Sequence, residues 1–566
     1  MNRDASVNRS TRDASFGMEW VYSYSIRILI LVGFVILLPG TATMPLVDRD
    51  EPRFAQATQE MMERGEWIIP YFNENYRFDK PVLSYWMMRI FYNLFGVNEF
   101  SARFHSILCT IGVAIIINVW GRRMFTKEAG FWAAFMWLTS VQVWIHGRLC
   151  LADMPMILAV AASNWALYAL VVKPAEYRLR WFAGLYVSLG LGFLAKGPIA
   201  VVTPLLSLLL YRFVFYRKPL PWKNLGLQWG IPLFLLIVGI WGIPALIKTQ
   251  GQFWEEGMNR HVIQRGVEAF NGRVPIPFVY YIFTAFLSLF PWIAYAGDGF
   301  VSLRRNWNPQ LAYLTAWFLS PYIIFTFYAT QLPHYVMPGF PAFFLLLAHG
   351  LHASDKPSRL GIHWFCWVKG VMVTLALAGI GFLALQHWME ATLPLFIALI
   401  SLFVLLLFYA SLSFFWRWQK KWGIGFILLL MAVCSSTIGT QLEKIVPAEQ
   451  MKPLMRSMPA ETYFIMRDFE EPSLIFYSNR HWQKEFTTFN KSQLWAIDGP
   501  VFTVLVEKEY RLEDYFKPEI EKNEQTEMNP QLQERVKQAG YTIKRYSGLN
   551  LARASWVKLL TVFRKE

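Results

Sequence analysis

The chain is 566 residues long, 55% hydrophobic and 17% aromatic, and only 16% charged, against roughly 25% charged in an average soluble domain. That balance excludes an ordinary soluble globule and predicts a polytopic membrane protein. The net charge of +15 does not signal nucleic acid, because Lys and Arg cluster in short loops between apolar stretches and no zinc-finger spacing or compact basic domain accompanies them.

Residues 1–23 read as a polar cytoplasmic tail, too long before the first apolar run for a cleaved signal peptide. A spanning helix needs about 20 mostly apolar residues, and the first is expected near Tyr24–Met44. A long polar loop, 47–100, follows. Its core, Val47–Trp86, packs Asp48, Arg49, Asp50, Glu51, Arg53, Asp79 and Lys80 among Pro and aromatic residues. Connections are usually short, and a long one is usually functional. Glu51–Arg64 and Pro81–Phe95 are expected to form helices lying in the membrane interface.

Further spans are expected near Phe104–Trp120, Gly130–Ile145, Met154–Val172, Trp181–Ala195, Ile199–Phe215, Leu225–Ile247, Phe278–Ala296, Leu311–Tyr328 and Val336–Leu351. Three more follow near Phe365–Leu385, Leu393–Phe415 and Ile424–Ile438, about thirteen in all by apolar length. With the N-terminus inside, alternate loops carry Arg122/Arg123/Lys127, Lys173/Arg178/Arg180, Arg212/Arg217/Lys218/Lys223, Arg304/Arg305, Lys356/Arg359 and Arg417/Lys420/Lys421, which satisfies the positive-inside rule. The opposite, outer face then receives the 47–100 loop, the Arg148–Pro155 turn, Lys196-Gly197-Pro198, the 248–277 connection, the Gln331–Tyr335 turn and residues 441–566. Every chemically suggestive segment falls on that face.

Residues 441–566 have a soluble composition and predict a small α/β domain. Strands are expected at Ser473–Tyr477, Val501–Val506, Tyr541–Lys544 and Val557–Phe563, with a helix over Pro530–Ala539 stopped by Gly540. The four cysteines, Cys109, Cys150, Cys366 and Cys434, are widely spaced in or beside apolar segments, as small buried hydrophobes. No nucleotide-binding glycine motif occurs, so no nucleotide is expected as donor or cofactor.

Asp50-Glu51 can be a solvated helix start, since acids favour the first turn. With Arg53, Asp79 and Lys80 in the same loop, the pair is equally suited to a membrane-surface active site, as base, orienter or metal ligand. At this point the motifs DEPRFAQATQEMMERGEWIIPYF and FDKPVLSYW, with AKGP and QLPHYVMPGFPA later, resemble the C-type glycosyltransferases that use polyprenyl-phosphate sugars. The similar branch holds lipid A aminoarabinose transferases and bacterial relatives of protein O-mannosyltransferases. The resemblance covers roughly Pro45–Leu347 and implies an inverting transferase of the C-type fold on the outer face of the bacterial inner membrane. The donor would be an undecaprenyl-phosphate sugar and the acceptor lipid A, in a protein expected to be monomeric among membrane lipids. A protein Ser/Thr mannosyltransferase is the alternative within the class, and a lipid flippase or transporter the alternative outside it.

Lys80 can be a snorkelling lysine or a point-charge phosphate binder. Arg53, one turn from Asp50, can share that phosphate or simply pair with the carboxylate. Asp153 can be a helix N-cap, with Pro155 in the first turn. The resemblance makes it instead a second outer-face acid, catalytic with Asp50 and Glu51. Lys196 can snorkel, but the charge bias disfavours it on this face, which makes it a phosphate candidate, as is Arg265 in a 248–277 lid. His334, Tyr335 and Tyr76 are expected substrate contacts, and Asp79 with His261 can hold a divalent metal.

Overall fold

The computed structural model of the chain describes residues 20–47, 49–173, 178–268, 277–352, 358–370, 420–467, 470–485, 499–510, 534, 536–550 and 555–564. The expected tail over 1–19, the span near Leu393–Phe415 and most of that near Phe365–Leu385 lie outside the described residues.

The membrane part is helical. α1 (Ser25–Leu37) enters the first loop, which holds α2 (Glu51–Glu63), a hairpin of β1 (Tyr71–Phe72) and β2 (Asn75–Tyr76), and α3 (Leu83–Phe95). Pro52 in its first turn suits α2 to start here, since the missing N–H is one the helix would not use. Exposed Ile90, Leu94 and Phe95 on α3 and Trp67 before the hairpin give this region an apolar outer face, as an interfacial helix requires.

α4 (Glu99–Met124) opens on a capping box in which the Asn98 side chain accepts from the Ser101 amide and the Ser101 hydroxyl accepts from Asn98. It packs on α5 (Lys127–Thr139) so closely that a Cβ on Gly121 would lie 2.8 Å from the Gly130 Cα; only glycine admits that approach. A short α6 (Val141–His146) leads to α7 (Asp153–Leu167), whose π-helical continuation ends at Val172. α8 (Arg178–Lys196), α9 (Ile199–Leu210) and α10 (Leu227–Lys248) follow, then a π-helical segment Phe253–Gln264. α11 (Pro277–Ser288), α12 (Ala296–Arg305), α13 (Pro309–Phe327), α14 (Phe340–His352) and α15 (Lys420–Ile445) follow among the described residues, with 359–370 also helical. The core between α4, α7 and α13 is aromatic, with Trp120 stacked on Trp317 at 5.5 Å and on Trp165 at 6.1 Å. α10 is different: only 17% of its most apolar stretch is buried, and Trp229, Leu236, Ile240, Ile243 and Ile247 face outward.

Among the described residues six helices are long and apolar enough to cross a membrane, or seven if one bent pair is a single span. This is a multi-pass membrane fold, but several expected spans take another form. The first is only 13 residues long and stops before Pro39-Gly40. Gly130–Ile145 breaks at Ser140, whose backbone is extended. Phe278–Ala296 is not straight, because the chain turns by 107° around Leu289–Pro291. An apolar run sets how much chain is buried, not whether it is buried as one rod.

The C-terminal α/β part packs on α2 of the first loop through α17 (Pro472–Ser478), and α16 (Pro447–Arg456) packs in turn on α17. Its sheet runs β4 (Trp482–Glu485), β3 (Tyr463–Arg467), β5 (Val501–Tyr510), β7 (Ser555–Arg564), β6 (Thr542–Asn550). β3 pairs in parallel with β4 and β5, and the remaining pairs are antiparallel. The expected strand at Ser473–Tyr477 is a helix. Pro472 starts it and Asn479, in the left-handed region at φ 52°, ends it. All seven of its residues are buried, so its run of apolar residues hides the helical period. β3 and β4 were not expected, whereas the other three strands overlap the expected runs. Gly540 stands just before β6 at φ 83°; of the helix expected over Pro530–Ala539, residues 534 and 536–538 are helical, and 530–533 and 535 lie outside the described residues.

Candidate active site

Two neighbouring residues at the start of α2 have opposite fates. Asp50 is exposed, after Arg49 at φ 94°, in the left-handed region that a non-glycine residue seldom adopts. Glu51 is 1% exposed and its carboxylate is fully engaged. It accepts from Arg103 Nε at 3.0 Å and Nη2 at 2.8 Å, from the Val47 amide at 2.7 Å and from the Cys150 amide at 2.7 Å. Arg103, 0% exposed, also donates to the carbonyls of Thr41, Met44 and Pro45. A bidentate, fully hydrogen-bonded pair of this kind is the strong form of ion pair. It ties the exit of α1, the start of α2, α4 and the turn before α7 at one point. Glu51, expected among the catalytic acids, is engaged in this buried network, and its partner Arg103 is a residue the sequence did not single out.

Lys80, Asp79, Asp153, Lys196 and Tyr335, distant in sequence, line one cavity of about 390 Å³. Lys196 Nζ donates to Asp153 Oδ1 at 2.6 Å, and His334 Nε2 lies 4.0 Å from the same oxygen. The His334 ring packs on His146 at 4.9 Å, and the Lys196 ammonium stands 5.5 Å from the centre of the Tyr335 ring. Asp153 is thus no N-cap: it is the first residue of α7, and its side chain reaches across to the C-terminus of α8. Lys80 Nζ donates to its neighbour's carbonyl, Asp79 O, at 3.0 Å. Asp79 Oδ2 lies 3.3 Å from Arg77, which donates through Nε to the Tyr85 hydroxyl at 2.9 Å. Burial pulls the Arg77 pKa down, but Tyr85 and Asp79 more than offset it, and the guanidinium stays charged. The rest of the wall is apolar, with Phe193, Ile199, Val202, Val238, Trp241 and Ile324 among its residues.

The π-helical segment covers this cavity with Phe253, Trp254, Gly257 and Met258. Phe253 packs edge-on against Phe78 at 5.6 Å and Trp241 at 4.9 Å. A Cβ on Gly257 would come 2.9 Å from the Phe78 carbonyl oxygen, so glycine sets how near the segment sits. The side chains of Arg265 and His261 lie outside the described residues. Among the described residues no group of three His, Cys, Asp or Glu side chains converges as a metal site.

A second cavity, about 300 Å³, adjoins the first and shares Phe78 and Asp79 with it. Its wall is polar: Arg53, Asn73, Asn75, Tyr76, Arg77, Glu256 and, from the C-terminal domain, Glu470 and Lys484. Arg53 Nη2 donates to Glu470 Oε1 at 2.7 Å, and Lys484 Nζ lies 3.0 Å from the same oxygen. Burial raises the Glu470 pKa, but Arg53 and Lys484 outweigh it and hold the group below the usual carboxylate range. Arg53, expected beside Lys80, and Tyr76, expected at the substrate, both line this second cavity and not the first. The β1–β2 turn, with Asn73 and Glu74 both at positive φ, is the primed turn that matches strand twist. It fixes the domain contact: Asn73 Nδ2 donates to the Trp482 carbonyl at 2.7 Å, and the Trp482 amide donates back to Asn73 Oδ1 at 2.8 Å.

Residues 79–241 match the family model described as dolichyl-phosphate-mannose-protein mannosyltransferase. The match begins at Asp79 and ends at Trp241, both in the wall of the first cavity. The chain is 26% identical over 470 residues to undecaprenyl phosphate-alpha-4-amino-4-deoxy-L-arabinose arabinosyl transferase of Edwardsiella ictaluri (strain 93-146), covering 78% of this chain and 81% of that one. It is 28% identical to the protein of that name from Enterobacter sp. (strain 638), over 71% of this chain and 75% of the other. Its fold is that of ArnT from Cupriavidus metallidurans, solved bound to undecaprenyl phosphate, at a TM-score of 0.71 and 17% identity, covering 96% and 98% of the two chains.

Proposed function

We propose that this chain, a glycosyltransferase of the C-type fold, moves 4-amino-4-deoxy-L-arabinose from undecaprenyl phosphate to a phosphate of lipid A, with inversion. One observation carries the reading: a single cavity with apolar walls whose polar residues include two lysines and two carboxylates. Apolar walls suit a polyprenyl chain, and a lysine ammonium suits its phosphate. The names of the similar proteins point to the same donor and sugar.

In this reading the donor phosphate sits against Lys80. An acceptor phosphate oxygen attacks the anomeric carbon from the opposite face, the bond to the donor phosphate breaks, and undecaprenyl phosphate leaves with the electron pair. A phosphomonoester has its second pKa near 6 and is mostly dianionic at neutral pH, so the attacking oxygen needs no general base. Positive charge gathers on the sugar ring in the transition state, where carboxylates stabilise it electrostatically. We assign that role to Asp50, which stands outside the Glu51 network and lines neither cavity, while Asp153, in the wall of the first, orients the sugar and Lys196 and His334 hold it in place. A Ser/Thr acceptor is the second reading, because the family model that matches is described by a protein mannosyltransferase. A hydroxyl would require a base among these carboxylates.

The test is transfer of radiolabelled sugar from the undecaprenyl-phosphate donor by the full chain in a lipid bilayer, with lipid A or a Ser/Thr peptide as acceptor. Label is expected on lipid A. Label on peptide alone would replace the acceptor assignment, and none on either would remove the reading.

Placement in the bacterial inner membrane, with a cytoplasmic N-terminus and the 441–566 domain outside, belongs to the same proposal. So do the divisions 1–23, 24–440 and 441–566, the thirteen spans, and a monomer among membrane lipids. A topology reporter fused after Lys421 is expected in the cytoplasm and one after Glu566 in the periplasm; the same side for both would put the span count wrong by an odd number.

A further inference from the structure

We infer that the second cavity receives the acceptor's phosphate, and that the C-terminal domain, through Lys484, helps select an anionic glycolipid headgroup. The inference rests on the transferase reading above. Two cations, Arg53 from α2 and Lys484 from β4, converge on one carboxylate, Glu470. Arg53 spends one nitrogen on that contact, out of five donors in its planar fork. A dianionic phosphate accepts from an arginine fork and a lysine ammonium together, whereas a neutral hydroxyl gains little from either. The other acids on the wall are themselves matched: Asp79 lies 3.3 Å from Arg77, and Arg260 Nη1 donates to Glu256 Oε2 at 3.1 Å.

Position supports the assignment as strongly as charge. The two cavities meet at Phe78 and Asp79, so an acceptor held in the polar one and a donor held in the apolar one face each other there. The Asn73–Trp482 double hydrogen bond keeps β4, and with it Lys484, in register with the first loop. The domain therefore contributes to the acceptor side without touching the donor cavity.

The experiment compares wild type, Arg53→Gln, Lys484→Gln and Lys484→Arg, each as the full chain in a bilayer. Acceptors are lipid A, enzymatically dephosphorylated lipid A, and the soluble competitor glucosamine 1-phosphate. Loss of one charge-assisted contact is worth about 1.5 kcal/mol, or roughly tenfold. The acceptor KM is expected to rise about tenfold in Lys484→Gln and in Arg53→Gln, with donor KM unchanged and partial recovery in Lys484→Arg. Dephosphorylated lipid A should serve the wild type poorly, and competition by glucosamine 1-phosphate should weaken in both glutamine variants. An unchanged acceptor KM, a donor KM rising in step, or full use of dephosphorylated lipid A would overturn the inference. If Arg53→Gln loosens domain docking, its Tm falls while that of Lys484→Gln, on an edge strand, does not, and Lys484→Gln decides. Should the wild type transfer no sugar at all, the function reading fails by itself; direct binding of lipid A to wild type against Lys484→Gln then decides the inference separately.

Discussion

Replacing Arg103 with Met is expected to lower the thermal midpoint of the detergent-solubilised protein sharply and to abolish transfer. Removing one partner of a buried ion pair typically costs about 3–5 kcal/mol, because the remaining charge stays buried without compensation. Here Glu51 would keep only the Val47 and Cys150 amides, and the carbonyls of Thr41, Met44 and Pro45 would lose their donor. Removing both charges in Glu51→Gln/Arg103→Met should cost less than the sum of the single changes, since the groups act as one unit. Additive effects in that cycle, or an Arg103→Met protein as stable as wild type, would show that the pair does not hold the frame. A chemical role for Glu51 predicts a different pattern: Glu51→Gln would lose turnover while its thermal midpoint stayed put.

The second large effect is on the donor. Lys80→Ala should weaken binding of undecaprenyl phosphate by roughly ten- to a hundredfold, the consequence of losing about 1.5–3 kcal/mol of charge-assisted contact. Lys80 lines the apolar cavity, whereas Arg53, only a short way along the same loop, lines the polar one. Arg53→Gln is therefore expected to leave undecaprenyl phosphate affinity in place. Titration of both variants in nanodiscs separates the cases. Donor affinity equal to wild type in Lys80→Ala would reduce Lys80 to a snorkelling side chain, and a comparable loss in Arg53→Gln would dissolve the division between the cavities.

These contrasts mark where sequence reasoning reaches and where it stops. That Asp79, Lys80, Asp153, Lys196 and the His334-Tyr335 turn lie on one face follows from counting spans and positive loops. That five of these six meet in one cavity wall, with His334 beside Asp153, does not follow, because the turns that carry them are far apart in the chain. The division of Asp50 from Glu51 was within reach: Glu51, Phe54, Ala55 and Thr58 share a buried helical face, and that spacing places Glu51 inward. Arg103 gave a weaker signal, an arginine at the head of an apolar helix, easily counted as a flanking charge. That Glu470 and Lys484 line the second cavity was out of reach, since it depends on how the C-terminal α/β part meets the β1–β2 turn. Ser473–Tyr477 misled for a different reason, because a helix buried all round shows no amphipathic stripe.

One feature of the helical part changes how the reaction would be supplied. α10 shows Val238, Trp241 and Gly242 to the first cavity and Leu236, Ile240 and Ile243 to the outside, so a single helix, about 10 Å across, stands between that cavity and the apolar outer surface. A lipid donor that slips past it never passes through water. Its supply is then counted in molecules per area of membrane, and turnover should follow the surface density of the donor rather than its bulk concentration.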